Sequence, residues 1–175
     1  NHEFDCGPDV LAEFISDAQT HNPTTYLSAN LGFGSEASLQ AHVAAGRIAP
    51  TKTLNVTVAG GTKTIGIIGV TTEDLPFVSS PGGVTVNPVA AAVNTQIANL
   101  KTAGVDHIIL AGHLQGLSSD NALVPSLDAG IDLIIAGGGD ELLRNPSAIS
   151  PRDPAAYGPG APASIVDTGL IPGDN

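Results

Sequence analysis

Ile65-Gly66-Ile67-Ile68-Gly69-Val70 is apolar throughout, as a strand buried on both faces should be. Downstream, Pro88 to Ala103 reads as a helix, with Val89, Val93, Ile97 and Leu100 in one stripe and Gly104 as the C-cap. His107-Ile108-Ile109-Leu110 then forms a strand, Ser119 to Ala129 a helix, and Asp132-Leu133-Ile134-Ile135-Ala136 another strand. Strand, helix, strand at this spacing predicts a parallel sheet with right-handed crossovers. The fold class is α/β.

Upstream of the decisive stretch, Thr53 to Val58 and Thr62 to Val70 flank Ala59-Gly60-Gly61, a turn signal for a hairpin. Asp9 to Thr20 reads as a helix that faces inward through Val10, Leu11, Phe14, Ile15 and Ala18. Pro8 and Asp9 supply its start, and His21-Asn22-Pro23 stops it, because a residue before proline disfavours the helical region. Tyr26 to Leu31 is a short strand, and Ser35 to Ala45 a helix with Leu39 and Val43 inward. Thr71 to Val86 reads as a loop rich in Pro, Gly and Ser. From Asn145 onward Pro and Gly are dense, and only Ala163 to Asp167 reads as ordered.

The chain of 175 residues is long enough for one domain with a real core. Aromatic residues are 3% and Met and Trp are absent, so Val, Ile, Leu and Ala must fill that core. Lys and Arg total 6 against 17 Asp and Glu, a formal charge of -11. Nucleic-acid backbones and anionic membranes both demand cationic groups, so neither is an expected partner. The acidity fits divalent cations, and it fits equally a secreted protein in a salty medium. One cysteine, Cys6, excludes an intrachain disulfide. No stretch reaches the roughly 20 apolar residues that span a bilayer. The first residue is Asn rather than Met, and no signal peptide is visible.

Functional residues of a parallel α/β sheet collect in loops at the carboxyl ends of its strands. Ala111-Gly112-His113 and Gly137-Gly138-Gly139-Asp140-Glu141 are two such loops. Asn1-His2-Glu3-Phe4-Asp5 precedes a helix and is expected to follow a strand too. An Asn carbonyl and an imidazole suit a borderline divalent metal such as Zn, Mn or Fe. A histidine beside an aspartate three residues on can be held in one tautomer and serve as acid or base. Blander readings stand beside these. His113 alone fits a strand-end cap, Asp5 could cap the following helix, and Gly137 to Gly139 could be a tight turn or an anion nest.

Taken in order, the residues resemble the calcineurin-like metallophosphoesterases, in the bacterial 5′-nucleotidase and 2′,3′-cyclic phosphodiesterase branch. The family's Gly-Asn-His-Glu motif with its Phe-Asp-x-Gly continuation matches Asn1-His2-Glu3-Phe4-Asp5-Cys6-Gly7. Its strand ending in Ala-Asn matches Tyr26 to Asn30, and its Ile-Gly-Ile-Ile-Gly-Val-Thr-Thr segment matches Ile65 to Thr72. Its strand ending in a metal-binding histidine is His107 to His113, and Gly130 to Ile135 matches its Gly-Ile-Asp-Leu-Ile-Ile lead-in. Five segments in order, over residues 1 to about 144, are far more specific than any one of them.

The resemblance implies an αββα sandwich with a mostly parallel central sheet, present here in part as residues 1–144. Residues 145–175 are then loop and the start of a further element. It implies two divalent metals of unknown identity, with Asn1 and His113 as ligands. They would activate a water or hydroxide for in-line attack on a phosphate ester. His2 would stabilise the transferring phosphoryl group or protonate the leaving oxygen, oriented by Asp5. Where the family closes its site with Gly-His-x-His, this chain has Gly137-Gly138-Gly139-Asp140, so Asp140 is a candidate ligand and Gly138 offers no side chain. The family's Asp-x-His and Gly-Asp motifs belong upstream of Asn1, so a segment of a longer, secreted, periplasmic or cell-surface bacterial protein is expected. A sheet lacking upstream strands would leave an edge prone to join the remaining part or a second copy.

The expected function of that longer protein is hydrolysis of small phosphate esters, nucleotides first among them. Two other readings stay open: a degenerate relative serving as a surface scaffold, and a metal-free enzyme using the glycine loop for an anion.

Overall fold

A computed structural model describes residues 2–139, 142–144 and 165–167. The chain divides into two units, Asn1–Gly138 and Gly139–Asn175. The first opens with a 3-10 turn, His2–Phe4, followed by α1 (Pro8–His21), β1 (Tyr26–Leu27), β2 (Leu31–Gly32), α2 (Ala37–Ala44) and β3 (Ile48–Ala49). There follow β4 (Thr51–Val58), β5 (Gly61–Thr71), α3 (Leu75–Val78), β6 (Thr85–Val86) and α4 (Val89–Thr102). The unit ends with β7 (His107–His113), α5 (Leu117–Leu123), a 3-10 turn (Val124–Ser126) and β8 (Leu133–Gly137).

The main sheet has the order β4-β5-β7-β8. Helical crossovers make β5–β7 and β7–β8 parallel, whereas the short turn after Val58 forces β4 antiparallel to β5. The sheet is therefore mixed within an α/β fold. Its core lies under α4, where Val89, Val93, Ile97 and Leu100 meet Ile68 and Leu110. Each of those four helix side chains contributes about 2 kcal/mol by leaving water. The stripe read from the sequence is the stripe that is buried.

The two glycines inside the opening stretch have a steric cause. A β-carbon at Gly66 would come within 2.8 Å of Leu100 on the α4 side. One at Gly69 would come within 2.4 Å of the Leu27 carbonyl on the other. Both helix and crossing segment therefore approach the strand's backbone more closely than alanine would permit.

Other expectations need correction. Tyr26 to Leu31 is not one strand: β1 pairs in parallel with β3, and β2 pairs antiparallel with β6. Asn30 breaks it, because its fully buried side chain bonds sideways to Thr71 instead of continuing the ladder. Thr71 to Val86 is not wholly loop, since it carries α3 and β6. Ser119 to Ala129 yields only α5 and one 3-10 turn, because Pro125 cannot continue the helical bonding. Around α1, Leu11, Ala12 and Ile15 are buried, but Val10 and Phe14 are 50% and 56% exposed. On α2 Leu39 is buried while Val43 faces out and His42 faces in. There the buried His42 Nε2–H is satisfied by the Ala12 carbonyl at 2.9 Å.

In the second unit, β9 (Leu142–Arg144) and β10 (Ile165–Asp167) pair in parallel.

Candidate active site

Strand register aligns the carboxyl edge of the main sheet. Thr71 of β5, His113 of β7 and Gly137 of β8 form one rung. Asn30 fixes the Thr71 end of it: its Oδ1 accepts from Thr71 N at 2.9 Å and its Nδ2 donates to Thr71 O at 2.8 Å. The same amide group donates to Asn87 O at 3.3 Å, which ties the rung to the start of α4. Ser28 Oγ stands 3.1 Å from Thr71 Oγ1. No sequence motif pointed to this task for Asn30, although it closes the Ala-Asn strand that carried part of the resemblance.

The His2–Phe4 turn meets this rung. The His2 and His113 rings lie with centroids 6.1 Å apart and planes at 77°. His2 Nδ1 donates to Asp5 Oδ2 at 2.9 Å, and Ser79 Oγ donates to Asp5 Oδ1 at 2.7 Å. Bonding to His2 and then to Ser79 holds the Asp5 carboxyl below its usual range. Asp5 does not cap α1, whose N-cap is Gly7 without a side-chain bond. His2 is 73% exposed and Asp5 49%, so the pair is accessible to a small molecule from solvent.

Beside His113 lies a cavity of about 340 Å³, mostly apolar, with Glu3, Ser28, Thr71 and His113 among its polar lining. Gly138 borders the His113 ring: a β-carbon there would stand 2.5 Å from both Nε2 and Cδ2. Its φ of +89° also suits glycine.

The structure therefore brings together His2, Asp5 and His113. Asn1, Asp140 and Glu141 lie outside the described residues. Among the described residues no group of three or more His, Cys, Asp or Glu could hold a metal ion. His113 has the imidazole donor that a borderline metal favours, and it would be one member of a larger set. Ser79 was missed by sequence reading, because it stands 74 positions from Asp5 in a stretch distinguished only by its Pro, Gly and Ser content.

No family model matches the chain. It is 30% identical over 160 residues to the 5′-nucleotidase of Mus musculus, covering 91% of this chain and 26% of that protein. The solved structure of a 5′-nucleotidase precursor from Thermus thermophilus superposes with a TM-score of 0.68 at 32% identity, covering 82% of this chain and 26% of that one. The calcineurin-like phosphoesterase YfkN from Bacillus subtilis shares the fold, with a TM-score of 0.59 at 24% identity over 78% of this chain and 42% of its own. The chain thus spans about a quarter of the length of the curated relative and of the Thermus structure. Three of the five sequence segments contribute to β5, β7 and β8 of the main sheet, and by these matches the chain is a homologue of the 5′-nucleotidases.

Proposed function

We propose that the protein to which this chain belongs hydrolyses small phosphate esters, with nucleotides as the substrate class, and that residues 1–144 are part of its catalytic domain. The observation that supports this most is the meeting of an Asp5-bonded His2 with His113, 6.1 Å ring to ring, at the carboxyl edge of the sheet. The names of the mouse and Thermus relatives support the choice of nucleotides, and neither name favours a scaffold.

His113 would hold a divalent metal, and the resemblance assigns Asn1 and Asp140 to metal as well. Such ions supply an activated water and neutralise phosphate charge. His2 has a separate task. With Nδ1–H given to Asp5, its Nε2 is the nitrogen that can pass a proton to a departing oxygen or hydrogen-bond a phosphoryl oxygen. The carboxylate keeps the ring oriented through that bond. The acidic composition fits a place outside the cytoplasm, and among the described residues no helix is long and apolar enough to cross a membrane.

The test is elemental analysis of the full-length protein beside turnover of a chromogenic phosphate monoester. About two transition-metal ions per chain with turnover that a chelator abolishes is the expected result. A folded, metal-free protein that leaves the ester intact would overturn the proposal.

A further inference from the structure

We infer that Ser79 is a positioning residue for the His2–Asp5 pair, a role that rests on the function proposed above. Asp5 is exposed and sits just beyond a short 3-10 turn, so its carboxylate has freedom to rotate. Two hydrogen bonds remove that freedom. Ser79 Oγ donates to Oδ1 at 2.7 Å, which turns Oδ2 toward the His2 Nδ1 at 2.9 Å. The hydroxyl is itself held in place. Ser79 N closes α3 by donating to Leu75 O at 3.1 Å, and Leu75 is fully buried. Ser80 N donates to Phe4 O at 3.3 Å, which fastens the segment to the turn that carries His2.

The chain of contacts therefore runs from a buried anchor to a functional ring: Leu75, Ser79, Asp5, His2. Its chemical output is a tautomer. A fixed carboxylate oxygen at Nδ1 keeps a proton on that nitrogen, so it is at Nε2 that a second proton is taken up and passed to the departing oxygen. Without Ser79 the carboxylate can swing, and the ring drifts toward the Nε2–H form that the free histidine side chain prefers. Asp5 fixes which nitrogen works; Ser79 fixes Asp5.

The experiment uses the full-length protein, stripped of metal and labelled with ¹⁵N at histidine. The ring-nitrogen shifts of His2 are read at one alkaline pH, where the ring is neutral. In Ser79→Ala the ratio of Nδ1–H to Nε2–H should fall roughly two- to tenfold, the effect of one lost hydrogen bond. Ser79→Thr, which keeps the hydroxyl, should restore it. An unchanged ratio in folded Ser79→Ala overturns the inference. Should that variant fail to fold, Ser79→Cys preserves volume but weakens the donor, and the same two outcomes apply. Because the tautomer is measured without metal or substrate, its failure is distinct from a failure of the proposed hydrolysis.

Discussion

Gly138 stands against the His113 imidazole so closely that a β-carbon at position 138 would lie 2.5 Å from Nε2. The glycine that stands where the resemblance sets the family's first closing histidine is therefore coupled to the placement of the histidine on the neighbouring strand. With no side chain at 138, the ring of His113 occupies that space.

Gly138→Ala should accordingly displace the His113 ring and strain a backbone at φ +89°. A loss of about 1–3 kcal/mol in unfolding free energy is expected, measured by urea titration. A variant as stable as the parent would show that the ring moves aside without cost.

His2 and His113 should separate by what their loss removes. His2→Ala should lower turnover of a phosphate ester by roughly 10²- to 10⁴-fold while sparing metal content. His113→Ala and Asn1→Ala should lower metal content itself. Elemental analysis of the three purified variants decides it, and equal metal loss in all three would remove the proton-transfer role from His2.

Asn30→Leu should be among the most damaging single changes in the chain. It removes the side-chain bonds to Thr71 and Asn87 and leaves the Thr71 N–H and C=O in a buried setting. A cost of about 3 kcal/mol or more follows from two unsatisfied backbone groups. Denaturant unfolding measures it, and a change under about 1 kcal/mol would mean that other partners replace the amide.

Acid should weaken the fold through the opposite end of the sheet. Lys63 bonding, then the Thr64 N–H, holds the Asp106 carboxyl below its ordinary value of 3.8. The Ile108 N–H does the same for Asp132. A folded-state pKa below the unfolded one gives stability that is present above 3.8 and is lost as pH falls through the folded value. The denaturation midpoint should thus drop as pH falls below about 4. The Asp106→Asn, Asp132→Asn double variant should show a shallower drop, read from urea midpoints across pH.

The main sheet, α4 and the position of His113 were legible because each rests on a local pattern. An apolar run marks a buried strand, a stripe of Val89, Val93, Ile97 and Leu100 marks a helix face, and a residue closing a strand lands on the carboxyl edge. What was not legible depends on distant partners. Asn30 interrupts a strand because Thr71 lies opposite it. His42 turns inward because its Nε2 reaches the Ala12 carbonyl of the facing helix at 2.9 Å. Ser79 matters because folding brings it to Asp5. None of these pairings leaves a periodicity behind, and polar side chains in Ser-rich or Asn-containing loops look alike until their partners are known.

The face of the sheet opposite α4 makes a final prediction. Register places Leu54 of β4 and Leu133 and Ile135 of β8 on that face, where they are 44%, 52% and 54% exposed. Apolar surface of this kind drives association in water. The 175-residue chain should therefore self-associate with rising concentration in sedimentation velocity runs. Leu133→Lys with Ile135→Lys should shift it toward monomer, since charge on an apolar sheet surface opposes stacking. Because both side chains are half exposed, folding stability should change by only about 0.5 kcal/mol per site. If the parent chain sediments as a monomer at every concentration, the face is not sticky and the prediction is wrong. If the double variant unfolds instead, the two side chains are core residues despite their exposure.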